Sequence, residues 1–163
     1  MSDAPRTDKE IADIYERHKQ TVYRVCYAYL KNAMDTEDAV QETFFRLIRK
    51  NPRFASQEHE KAWLIRTAVN ICKDELKRKR RGDESIDDHP DLQSPETAES
   101  SGVLEAVLGL PERYRTVIYL YYYEGYDSAE IAGILKKPKS TVRNDLSDAR
   151  KILKERLGDF DEK

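Results

Sequence analysis

The sequence predicts an all-α protein: two small helical domains joined by a flexible acidic linker. Three observations carry that expectation. Apolar residues recur at three- and four-residue steps through both halves, the period of a helix with one buried face. No turn-separated runs alternate apolar and polar residues, as half-buried strands would. Between the halves, "GDESIDDHPDLQSPETAESSG" holds Pro, Gly, Ser and acids but almost no large apolar side chain. Such a stretch cannot bury enough surface to offset its ordering entropy. The expected domains are residues 1–82 and 103–163, with the linker over 83–102.

Ile11, Ile14, Tyr15, His18, Val22, Val25, Cys26 and Tyr29 fall on one face of a long first helix. Asp35 is the expected N-cap of the second, whose stripe is Val40, Phe44, Leu47 and Ile48 and which ends at Pro52. The third runs from about Glu58 to Arg81, with Trp63, Leu64, Ala68, Ile71, Cys72 and Leu76 largely inward. After the linker a short helix covers Val103 to Leu108, and Pro111 opens "PERYRTVIYLYYYEG", stopped by Gly125. The Tyr119–Tyr123 run has strand propensity, but its Pro and Gly flanks favour a helix. In "YDSAEIAGILKKPKSTVRNDLSDARKIL", Ser128 is the expected N-cap and Ala132 sits where crossing helices approach closely. "KKP" makes the turn, and Ile131, Leu135, Val142 and Leu146 can close one small core.

Composition excludes several classes. No run nears the roughly 18 apolar residues of a membrane span, so no membrane insertion is expected. The polar start "MSDAPRTDKE" lacks the apolar core of a secretory signal, which points to a cytoplasmic protein. Cys26 and Cys72 read as buried reduced thiols. His18, His59 and His89 lie far apart with no metal-ligand spacing, and no Gly-rich phosphate loop appears. No catalytic residue, metal or cofactor is expected, and the protein does not read as an enzyme. The formal net charge of -2 hides an asymmetry: residues 1–82 carry 18 bases against 13 acids, residues 83–102 seven acids and no base, and the remainder 11 of each. Phosphates respond to local charge, so the overall sign does not argue against a nucleic-acid partner.

Three faces carry chemistry. The last two helices have the helix-turn-helix pattern, whose second helix enters the major groove. Lys137, Lys139, Ser140, Thr141, Arg143 and Asn144 stand at its leading end, suited to phosphates and base edges; a plain helical hairpin with a solvated face is the alternative. "TAVNICKDELKRKRRG" ends in five consecutive bases, more than the helix dipole requires, with Asn70, Lys73, Asp74, Lys77 and Arg78 in one polar stripe. Amides and bases beside aromatic rings are what single-stranded nucleic acid needs. Trp63, seven positions before Asn70, fits either that face or the core. In "DTEDAVQETFFRLIRK", Asp35, Glu37, Asp38, Gln41, Glu42 and Arg46 make a polar face, and the off-stripe Phe45 points to a protein-binding surface.

"DTEDAVQETFFRLIR", "KAWLIRTAVNICKDELKRKRR" and "LPERYRTVIYLYYYEGYDSAEIAGILKKPKSTVRNDLSDARKIL", in this order, resemble a bacterial RNA polymerase sigma factor of the extracytoplasmic-function (ECF) group, from about Ile11 to Leu157. The resemblance implies a region-two domain over residues 1–82 and a region-four domain over 103–163. Region two would bind the clamp helices of the polymerase largest subunit through Asp38, Gln41, Glu42, Phe45 and Arg46. It would hold the melted non-template strand of the minus-ten element at Asn70, Lys73, Asp74, Lys77 and Arg78, with Trp63 beside them. Region four would read the minus-thirty-five duplex with Lys139, Ser140, Thr141, Arg143 and Asn144, and would rest on the polymerase flap. Core RNA polymerase, promoter DNA and an anti-sigma factor are the implied partners, and the protein alone is expected to be a monomer.

Two positions depart from the family pattern. Asp145 and Asp148 stand where bases are common on the recognition helix, which bears on the strength of duplex contact more than its location; with Thr141, Arg143 and Asn144 facing the groove, both acids fall toward its flank. Lys136 occupies a turn where Gly is easier, at a cost of about 1 kcal/mol if it must be left-handed. The rival reading is a conventional dimeric helix-turn-helix regulator that never touches polymerase; it predicts a palindromic operator.

Overall fold

The computed structural model describes residues 4–81 and 102–158, which belong to two compact units. The acidic linker expected over 83–102 lies, but for Gly102, outside the described residues. The first unit holds α1 (Asp8–Leu30), α2 (Ala33–Lys50) and α3 (Gln57–Arg81); the second holds α4 (Gly102–Leu108), α5 (Glu112–Ile118), a π-helical turn (Tyr119–Tyr123), α6 (Ser128–Leu135) and α7 (Lys139–Leu157). No strand occurs among the described residues. None of their helices is long and apolar enough to cross a membrane.

In the first unit the three helices pack pairwise. Thr7 and Glu10 form a capping box that starts α1, and left-handed Lys31 (φ 61°) ends it. Val22, Val25, Cys26, Leu47, Leu64, Ile65 and Ala68 are almost wholly buried between the helices. Each fully buried Leu, Ile or Val contributes about 1.5–3 kcal/mol, which matters in a unit this small. Cys26 and Cys72 are buried free thiols. Tyr15, expected on the buried stripe, is half-exposed and meets Phe44 edge to face at 5.0 Å. Buried Glu60 of α3 accepts from Arg17 at 2.9 Å and lies 2.8 Å from His18 Nε2, tying α3 to α1.

Two expectations for α2 need correction. Asn32, not Asp35, is the N-cap: its side chain accepts from the Asp35 N–H at 2.8 Å. An Asn one turn earlier satisfies the same orphan donors, which freed the Asp35 carboxylate to pair with Lys79 of α3. Ile48, placed on the inward stripe, is 52% exposed. It lies one turn beyond Phe44, and at about 100° per residue that turn carries it farther from the Thr43–Leu47 core side.

In the second unit α7 packs against α4, α5 and α6. Ile131, Leu135, Val142 and Leu146 are all buried, as their spacing predicted. Ala132 is buried as well. The tyrosine run is helical but wide: the Glu124 N–H bonds Tyr119 O at 3.3 Å, an i to i−5 step. The run buries Tyr119 and Leu120 while Tyr122 and Tyr123 stay partly exposed. Gly125 (φ 78°) ends it. Asp127 rather than Ser128 caps α6, completing a capping box with Glu130; its carboxylate reaches the third N–H, so the serine becomes the first helical residue. Lys136 is left-handed (φ 60°, ψ 49°), and Pro138 opens α7.

Candidate nucleic-acid and protein interfaces

On α3, Asn70, Asp74, Lys77 and Arg78 are exposed and Lys73 is half-buried. Helical geometry places Trp63, Asn70, Asp74 and Lys77 within one narrow strip. Trp63 is half-buried against Phe54, 5.9 Å between ring centres, and stands on the Asn70 line. Arg6 covers the other part of that aromatic pair, 5.3 Å from the Phe54 ring. Arg66 belongs to the same strip and was missed, although its position between Trp63 and Asn70 carries the three- and four-residue spacing.

The run of five bases is not uniform. Lys79 is drawn aside to Asp35 at the start of α2, and Arg78 pairs with Glu75 at 2.7 Å. The exposed Arg78 pair is worth at most about 1 kcal/mol, so a phosphate can compete for the guanidinium. Burial pushes the Asp35 carboxyl up, but hydrogen bonds from Asn32 and Lys79, with the charges of Lys79 and Arg78, hold it below its ordinary value.

On α2, Asp38 and Gln41 are exposed, and Glu42 is half-buried and bonded to Arg46 at 3.1 Å. Phe45 is 57% exposed, with the Arg49 guanidinium 5.4 Å from its ring. Met34 (72% exposed) and Ile48 line up with Gln41 and Phe45, so the apolar strip is longer than the sequence suggested. Met34 gave no periodic signal because it precedes the stripe by one and a half turns.

On α7, Lys139, Ser140, Arg143 and Asn144 are exposed and Thr141 is half-buried. Asp145 departs from the exposed position its place on the recognition helix suggested. It is buried, with Arg113 of α5 at 3.1 Å and Lys137 at 3.8 Å. Asp148 accepts from the Tyr114 hydroxyl at 3.4 Å. Both acids thus turn toward α5, leaving the leading face of α7 to cations, hydroxyls and an amide.

A helical fold in two units, one closing on a helix-turn-helix whose second helix presents such a face, has the form of a DNA-binding protein. Residues 14–82 match the model of Sigma-70 region 2, and residues 101–153 that of Sigma-70, region 4. The ECF RNA polymerase sigma factor SigW of Bacillus subtilis is 30% identical over 91% of this chain and 89% of its own length. The RNA polymerase sigma factor SigV of the same organism is 31% identical over 86% of each. The chain belongs to the ECF sigma factors, regulatory proteins of transcription initiation. The fold matches that of the sigma factor RpoE solved with the anti-sigma factor NepR from Bartonella quintana, at a TM-score of 0.70, 22% identity and coverage of 92% of this chain and 98% of that one. CnrH, solved with the cytosolic domain of CnrY, gives 0.67 and 21% over 93% and 90%.

Proposed function

We propose that this chain is a non-catalytic initiation factor that recruits core RNA polymerase to a small promoter set, captures melted DNA and then leaves. The observation that carries the reading is that two separate folded units each expose a DNA-suited face, Asn70 to Arg78 on α3 and Lys139 to Asn144 on α7. The α7 face reads the minus-thirty-five duplex. The α3 face, with Trp63 at its edge, holds unstacked non-template bases of the minus-ten element. Unstacking costs a few kcal/mol, which aromatic and amide contacts offset without covalent chemistry. Asp38, Gln41, Glu42, Phe45 and Arg46 dock on the clamp helices of the polymerase largest subunit, and region four rests on the flap. Residues 1–82 and 103–163 act as the two domains, and the free protein is a monomer. The similar fold of RpoE is solved with the anti-sigma factor NepR, which supports an anti-sigma partner here too.

The test is transcription from genomic fragments with purified core polymerase. The full chain is expected to direct transcripts from a few defined starts, and the Gln41→Ala/Phe45→Ala double variant to weaken polymerase binding and lose those transcripts while its fold survives. A chain that starts nothing on any fragment contradicts the reading.

A further inference from the structure

Asp145 is an unusual carboxylate for a DNA-reading helix: it is 1% exposed and yet its partners are not buried with it. Its Oδ1 accepts from Arg113 Nη2 at 3.1 Å. Its Oδ2 receives no hydrogen bond among the described residues and lies 3.8 Å from Lys137 Nζ. The Arg113 side chain is 60% exposed and that of Lys137 25%. A guanidinium offers five N–H donors in a rigid fork, and Asp145 occupies one of them. The Arg113 guanidinium is fixed further by the Tyr114 ring, 4.9 Å away.

Arg113 comes from the first turn of α5 and Lys137 from the turn before α7. Their shared carboxylate lies one helical turn beyond Thr141. Both cations therefore emerge along the flank of the leading half of α7, where a phosphate backbone runs when such a helix lies in the major groove. Asp148 also acts on Arg113, so the two acids balance the two cations, but Asp145 is buried while Arg113 and Lys137 keep the exposed part of this charge. Resting on the function proposed above, we propose that Asp145 is a positioning residue which holds Arg113 and Lys137 as phosphate contacts beside the recognition helix. Contacts of this kind set the register of the helix on the duplex and carry no base information.

The test is the salt dependence of duplex binding by the full chain with core polymerase, read by fluorescence anisotropy on upstream DNA from one of its start sites. Arg113→Ala and Lys137→Ala are each expected to make the log–log slope shallower by about 0.9. Asp145→Asn is expected to lose at least as much slope as either, although it makes the protein more positive. Adding Arg113→Ala to Asp145→Asn is then expected to change nothing further. Tighter binding by Asp145→Asn at an unchanged slope overturns the assignment, since it would make the acid a mere repulsive charge. If Asp145→Asn misfolds by circular dichroism, Arg113→Ala decides, and an unchanged slope there is equally fatal. A wild-type holoenzyme that binds no such duplex removes the functional reading and this assignment together.

Discussion

Asp35 shows how far a single side chain can move from its apparent role. Its spacing suggested a cap, but Asn32 holds that position and the Asp35 carboxylate bonds Lys79. Because its pKa is held below the ordinary 3.8, the folded state binds this proton less tightly than the unfolded one. The resulting stability is present above the unfolded value and is lost as pH falls through the lowered folded one. Asp35→Asn is therefore expected to destabilise the protein at neutral pH, with the gap to wild type closing in strong acid; urea denaturation at several pH values reads it out. A gap that stays constant into acid would separate the Asp35 contribution from its charge. Residues of this kind were hard to read in the sequence, since Asp35 and Lys79 stand 44 positions apart and Asp145 and Arg113 stand 32 apart. Periodicity reports which face a residue occupies, but not which charge will cross from another helix to meet it.

At the scale of the element, local signals served better. The apolar stripes of α1 and α3 and the four-residue core of the helix pair were legible because burial on one face repeats at the helical period. Ile48 and the cap of α6 were not, because neighbouring residues satisfy the same spacing or the same donors. The α6–α7 turn was legible down to its strain: Lys136 is left-handed where a side chain costs energy. Lys136→Gly is expected to stabilise the protein by about 0.5–1 kcal/mol, the relief of strain exceeding the entropy Gly adds to the unfolded chain. Chemical denaturation at neutral pH measures it, and a loss of stability would mean that the Lys136 side chain contributes packing that outweighs its backbone strain.

For the whole molecule, the order of three blocks along the chain made the family legible; Asn70 and Arg143 are both exposed. The expected linker rests on composition and lies outside the described residues save for Gly102. The central claim is a division of labour: one unit grips unstacked bases and the other reads paired ones. Holoenzyme binding to two probes, a single non-template strand and the upstream duplex, tests it most directly. Asn70→Ala is expected to weaken the strand and spare the duplex. Arg143→Ala is expected to weaken the duplex by about 1–3 kcal/mol and spare the strand. If each variant weakens both probes alike, or Arg143→Ala acts on polymerase affinity instead, the division does not exist.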